Sequence, residues 1–292
     1  MKLLTTAIAP LAWGSTYVVT TQLLPADRPL LAGTLRALPA GLLLLMFVRK
    51  LPRGWWWGRA AVLGLLNIGA FFPLLFLAAY RLPGGVAAVL GSVQPLIVLG
   101  LTFALTAAKP RLVSVAAGVV GVAGVALVVL KPGAGLDPLG VAAGLAGAAA
   151  MATGTVLTQR WGRPPGVGVL TMTAWQLTAG GLLIAPVALA VEGLPPALSG
   201  TNVLGYAYLA TVNTAVAYWL WFRGLAQLPA GSAVFLGLLS PLAAVVLGWA
   251  VLGQALSPVQ VAGFAVALGA TVAGATAGAG QSIFRSRRSL AT

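Results

Sequence analysis

Ten apolar runs, each close to twenty residues long and separated by short basic connections, leave this chain one kind of environment to fold in. They lie at about 3–22, 30–48, 60–79, 84–106, 112–130, 138–159, 168–190, 201–222, 230–252 and 258–278. A helix needs roughly 20 apolar residues to cross the hydrocarbon of a bilayer. The 292 residues are 60% hydrophobic and 7% charged, and the acids are only Asp27, Asp137 and Glu192; a soluble domain carries about 25% charged residues. Lipid must therefore solvate most of this surface. Lipid satisfies no backbone polar group, which leaves helices or a closed barrel. Barrel strands alternate apolar and polar over about 10 residues. These runs are continuous and longer, so an all-α integral membrane fold with ten transmembrane helices is expected.

The second half of the sequence repeats the first. Leu82, Pro83, Gly85, Ala87, Leu90, Gly91, Pro95 and Leu96 return 146 residues later, within Leu228 to Leu242. Asn67 and Phe76 match Asn213 and Phe222 at the same offset. Thr16, Val19, Thr21 and Gln22 match Thr153, Val156, Thr158 and Gln159 at an offset of 137. Thr34, Leu38, Ala40 and Gly41 match Thr173, Leu177, Ala179 and Gly180 at 139. The expected organisation is a five-helix repeat over 1–137, a second over 138–280, and a basic cytoplasmic tail over 281–292. Five is odd, so the second repeat enters the membrane from the opposite side, and the repeat is inverted. Such repeats place a solute site near the midplane and support alternating access. The first run, with Lys2 before it, also looks like a signal peptide; its repeat partner argues against cleavage.

Charge sets the orientation. With both termini in the cytoplasm, 13 Lys and Arg residues fall on inner segments and 3 on outer ones, all three acids lie outside, and only Arg36 sits within a span. The net charge of +14 does not indicate nucleic acid, because the basic residues are dispersed between apolar runs instead of forming a stripe.

The Trp13-Gly14-Ser15 opening, Arg36 in the second span, and Pro-Gly-Gly and Pro-Ala-Gly at the starts of spans four and nine, with Pro95 and Pro241 following, resemble the drug/metabolite transporter superfamily of the EamA type. The likeness covers residues 1–280, and within the superfamily the chain looks most similar to aromatic amino-acid exporters of the YddG type. The resemblance implies a multi-pass protein of the bacterial inner membrane that exports small neutral metabolites, aromatic and other apolar amino acids first. Many members carry a Gly-Glu pair where span four or nine ends. Here Ala108-Lys109 and Gly253-Gln254 stand there, so no role of that Glu carries over.

The candidate substrate-binding residues are Trp13, Tyr17, Arg36, Asn67, Gln94, Trp175, Asn213, Thr214, Tyr218 and Ser240. Arg36 lies about six residues into its span, roughly 9 Å deep. An ionisable residue there is a functional candidate that binds a substrate carboxylate, pairs with helix-end carbonyls, or snorkels outward. Trp13 and Tyr17 share a helix face, as do Thr214 and Tyr218; aromatic and hydroxyl groups of this kind suit a solute with an apolar ring and a polar end, or simply pack helices. Asn67 and Asn213 are repeat-related amides that must bond a neighbouring helix or face a cavity. Gln94 and Ser240 precede Pro95 and Pro241, where proline frees a carbonyl and kinks the helix, so the two prolines are candidate hinges or static bends. Trp55-Trp56-Trp57 beside Arg53 and Arg59 reads as an inner-surface anchor. The glycines of spans five and ten read as a scaffold joining the halves.

The sequence holds no His and no Cys, which removes His- and Cys-based metal and nucleophile sites, and it has no phosphate-binding Gly-x-x-x-x-Gly-Lys-Ser/Thr run. No metal, cofactor or ATP use is expected, and an intramembrane enzyme lacks a base. Without an acid in a span, coupling through a membrane carboxylate is not expected. The partners expected are an amino-acid substrate and lipid, with a monomer favoured over a dimer. A carrier for another amphipathic solute or drug, or a channel-like facilitator, is the alternative.

Overall fold

The computed structural model describes residues 2–25, 28–82, 89–107, 109–129, 137–194, 197–252 and 257–278. The side chain of Tyr17, the residues Ala26 and Asp27, the start of the fourth span at 84–88, and the basic tail at 281–292 lie outside the described residues. Among the described residues every regular element is helical, and nine helices are long and apolar enough to cross a membrane.

The helical stretches are α1 (Lys2–Gly14, then Thr16–Leu23), α2 (Pro29–Val48), α3 (Trp56–Gly64, Leu65–Gly69, Phe71–Arg81), α4 (Gln94–Thr106) and α5 (Leu112–Val129). They continue with α6 (Pro138–Trp161), α7 (Val169–Glu192), α8 (Gly200–Ala210, Thr211–Val216, Ala217–Leu225), α9 (Ala230–Ala233, Val234–Leu238, Leu239–Leu252) and α10 (Pro258–Gly278). The nine apolar helices do not include α8. Its Asn202, Tyr206, Tyr208, Asn213, Tyr218 and Trp219 lower the apolar average over the stretch expected at 201–222, although it forms a continuous run of helical turns.

The α2 helix packs along α7, and α5 along α10; α1 packs on α8 and α9, and α6 on α3 and α4. Further contacts join α3 to α7 and α2 to α8. Raising each helix number by five, modulo ten, maps this set of neighbours onto itself. Small residues allow the closest approaches. A Cβ added at Gly124 on α5 would lie 2.6 Å from the backbone nitrogen of Ala267 on α10, so glycine lets these backbones touch. Gly14 on α1 stands in the same relation to α9, 2.8 Å from Ala244 N and 2.9 Å from Ser240 O.

The helices are irregular at repeat-related places. In α3 and α8 a π-helical turn interrupts the α-helix, at Leu65–Gly69 around Asn67 and at Thr211–Val216 around Asn213. In α4 a turn at Val93 precedes Gln94 and Pro95, and in α9 a 3₁₀ segment, Val234–Leu238, precedes Ser240 and Pro241. Two departures from the expected spans are local. The α3 helix starts at Trp56 rather than 60, which turns Trp56 inward while Trp55 and Trp57 stay exposed. The α1 helix breaks at Ser15, whose hydroxyl donates back to Ala12 O at 2.7 Å.

At the end of the bundle carrying Arg28, Glu192 closes α7 and accepts from Leu30 N at 2.6 Å and Leu31 N at 2.9 Å, filling the unsatisfied first turn of α2. Arg28 Nη1 donates to Glu192 O. Asp137 does the same within α6, accepting from Gly140 N at 2.7 Å and meeting Arg81 at 3.4 Å. The Gly140 bond first, then the Arg81 charge, holds its carboxyl below the usual carboxylate range.

Candidate functional site

The π-helical turn in α8 organises the centre of the molecule. Within this turn Asn213 O accepts both Trp13 Nε1 at 3.0 Å and Arg36 Nη2 at 3.3 Å. Arg36 Nε donates to Thr214 Oγ1 at 2.9 Å, and the guanidinium carbon lies 4.6 Å from the centre of the Phe72 ring. The arginine is 3% exposed. It therefore does not snorkel outward; it binds a helix carbonyl and a hydroxyl, with a ring beneath it. Asn213 Nδ2 reaches Ser15 Oγ at 3.2 Å and Thr16 Oγ1 at 3.3 Å, tying α8 to the break in α1.

Aromatic rings close this centre. Tyr218 packs 5.1 Å from Trp13, 6.0 Å from Phe72 and 5.8 Å from Phe222, and Trp13 packs 5.4 Å from Trp221. Tyr218 and Trp221 are buried. Five sequence candidates, Trp13, Arg36, Asn213, Thr214 and Tyr218, thus meet in one cluster. Phe72, Trp221 and Phe222 belong to it as well and were not among the candidates. For Trp221 the signal available in the sequence was its place one helical turn from Tyr218.

Asn67 holds the equivalent place in α3 but builds a different contact. Its Nδ2 donates to Gln176 Oε1 at 2.7 Å and to Thr158 Oγ1 at 3.4 Å, which spans α3, α6 and α7. Trp175, the repeat partner of Arg36, is not in the aromatic cluster. Its indole N–H donates to Lys50 O at 2.7 Å and its ring packs 6.4 Å from Trp56, in a separate buried group with Leu63 and Met172. Trp175 packs toward Lys50 and Trp56, at the connection into α3, while its neighbour Gln176 meets Asn67 deeper along α3. Gln94 is half-buried, with its Nε2 buried and unpartnered; Pro95 is buried, and Ser240 and Pro241 are half-buried.

Beside this centre lies a cavity of about 920 Å³, within the range of small-molecule sites. Its walls come from α4, α6, α7 and α8, from the start of α9, and from the connections at 162–168 and 226–229. It reaches the surface at the exposed Arg160, Arg163, Gly166 and Gln227. Its inner wall carries Thr158, Gln176, Met172, Leu99 and Phe222. Phe222 packs at a tilt against Tyr218, so the cavity ends against the aromatic cluster. None of the described candidates lines the cavity itself. Its polar wall was legible only as repeat-matched Thr158 and Gln159, without a direction.

Gln159 sits where the cavity meets the chain entering α9. Its Nε2 donates to Leu225 O at 2.7 Å and Leu228 O at 2.6 Å, and its Oε1 accepts from Ala230 N at 2.8 Å. One amide thus satisfies three backbone groups and fixes the turn at 225–230 to the end of α6. Among the described residues there is no group of His, Cys, Asp or Glu that could hold a metal ion.

Known proteins share this sequence and shape. The EamA-like transporter family matches residues 1–130 and 138–273. The chain is 49% identical over 255 residues to protein PecM of Dickeya dadantii, covering 87% of this chain and 86% of that one. It is 31% identical over 260 residues to the inner membrane transporter YedA of Escherichia coli K12, covering 85% and 82%. A protein crystal structure at 20% identity superposes with a TM-score of 0.79, over 96% of this chain and 99% of the other, which establishes the fold alone. These relatives do not carry the narrower likeness to aromatic amino-acid exporters. The matches over both halves, with an all-helical architecture among the described residues, make this multi-pass membrane protein a member of the EamA-like transporter family.

Proposed function

We propose that the chain is an alternating-access carrier that exports small neutral metabolites, aromatic and other apolar amino acids first, across the bacterial inner membrane. The observation that carries this reading is the cavity that runs from the basic mouth at Arg160 and Arg163 to the Phe222–Tyr218 pair. A cavity open at one end and stopped by packed aromatics at the other has the form of one state of a carrier. The basic distribution makes the open end cytoplasmic, with both termini on that side. In this reading the halves 1–137 and 138–280 are inverted repeats, supported by the neighbour pattern that survives exchange of the halves, and 281–292 is a cytoplasmic tail. Irregular turns before Pro95 and Pro241 serve as hinges, and Trp13, Arg36, Asn213, Thr214 and Tyr218 form the layer a solute meets as the cavity closes behind it.

The chain's acids are Asp27, Asp137 and Glu192, none within the apolar part of a span, so transport runs down the solute gradient without a carboxylate relay. The test is counterflow of labelled phenylalanine in proteoliposomes, with and without a pH gradient. Saturable exchange that competes with tryptophan and persists at equal pH is expected. No competition by any amino acid overturns the substrate, and strict need of the gradient overturns the uncoupled mechanism. Another amphipathic solute is the second reading, favoured by a cavity wall of mixed Leu99, Met172, Gln176 and Thr158 that reads no single side chain.

A further inference from the structure

The cavity wall is chemically one-sided in charge. Arg160 stands in the last turn of α6, and Arg163 follows in the connection to α7, where its Nη1 donates to Val167 O at 3.4 Å. Both line the mouth and both are exposed. Neither described acid is near. Glu192 closes the far end of α7, roughly 35 Å from Val169 at the cavity by helical rise, and Asp137 pairs with Arg81 at the start of α6. Deeper in, Leu99, Met172 and Phe222 are apolar, and the Gln176 amide oxygen is taken by Asn67. Two like charges at the mouth of a low-dielectric cleft focus a positive potential into it.

Resting on the carrier reading above, we infer that this cavity selects ring-bearing solutes by a carboxylate or equivalent anionic end held at Arg160 and Arg163, and that it does not read an ammonium group. The ring enters the wall of Leu99, Met172 and Phe222, while the anionic end stays at the guanidinium forks, whose paired donors match a carboxylate. An ammonium finds repulsion at the mouth and no carboxylate at depth. The amino group of an aromatic amino acid is therefore dispensable, and aromatic 2-oxo and 2-hydroxy acids are accepted with it. Basic residues at this end of the bundle also follow the general rule for cytoplasmic loops, but Arg53 and Arg59 obey that rule without lining the cavity. Arg59 is held over Trp56 and Trp161, at 5.1 and 5.6 Å from their ring centres.

Three probes with one ring separate charge from shape: phenylpyruvate, phenylalanine and phenethylamine. Binding of each to the purified protein in nanodiscs and flux of each in proteoliposomes are measured at low and high KCl. Phenylpyruvate is expected to bind at least as well as phenylalanine, and both to exceed phenethylamine by about tenfold. The order should weaken at high salt, because the charges at the mouth are screened over about 10 Å at 0.1 M. Arg160→Gln with Arg163→Gln should erase most of the difference, while Arg53→Gln leaves it. Equal binding of phenylpyruvate and phenethylamine, or an order unchanged in the double variant, overturns the inference. The predicted binding order without flux of any probe supports the charge selection and overturns the carrier reading for aromatic solutes.

Discussion

At the residue scale the centre of the molecule is held by one shared carbonyl. Asn213 O accepts from Trp13 and Arg36 together, so each donor is part of the junction between α1, α2 and α8. Trp13→Phe keeps a ring but removes one bond, and should cost about 1 kcal/mol of stability together with most of the flux. Trp175→Phe removes a bond of similar length, to Lys50 O, at a place away from the aromatic cluster. It should lower stability by a similar amount and leave flux per folded molecule near wild type. Melting in detergent and proteoliposome flux check the pair, and equal loss of flux in both contradicts this assignment. Helical spacing in the sequence identified Trp13, Thr214 and Tyr218 as facing groups. It could not separate Trp13 from Trp175, because spacing gives a depth and a face but not which helix that face meets.

At the element scale, stability depends on backbones that approach without side chains between them. Gly14→Ala would drive a methyl into Ala244 N and Ser240 O, where only backbone could yield. A cost of about 1–3 kcal/mol is expected, with α1 pushed from α9. Gly269→Ala meets nothing within 4 Å and should be neutral or slightly stabilising by helix propensity; unfolding in detergent measures both. The cap at Asp137 gives a pH signature. Its carboxyl is held below its ordinary value, so its contribution is fully present above that value and is lost as pH falls through the folded-state pKa. Asp137→Asn should cost most at neutral pH, where the ionised cap contributes fully, and should flatten the acid limb of the melting profile below about pH 4. The glycines of α5 and α10 were legible as a packing surface because small residues recur at helical spacing. The π-helical turns were not, since the partners that meet them, Trp13 and Arg36 at Asn213 and Gln176 at Asn67, are remote in sequence.

At the scale of the whole molecule, the absence of Cys from the sequence makes sidedness directly measurable. Single substitutions Arg163→Cys and Gly166→Cys, at the mouth of the cavity, should react with a membrane-impermeant maleimide only from the cytoplasmic face. Arg28→Cys, beside Glu192, should react only from the opposite face. Labelling of both positions from one side of intact cells contradicts the inverted arrangement of the halves. Saturating solute should slow labelling at Gly166, where the connection lines the cavity.

Apolar run length and scarcity of acids determined, from the sequence alone, a helical membrane protein, and the ordered recurrence of Pro, Asn, Thr and Gln underlies the proposed division into two related halves. These properties depend on local composition and on the solvent a segment can tolerate. Tertiary structure alone decided where the open space lies, which aromatic rings stop it, and that Arg160 and Arg163 stand at its mouth. A cavity is the space left by the packing of α4, α6, α7, α8 and α9 together. No periodicity within any one of those helices encodes the gap between them.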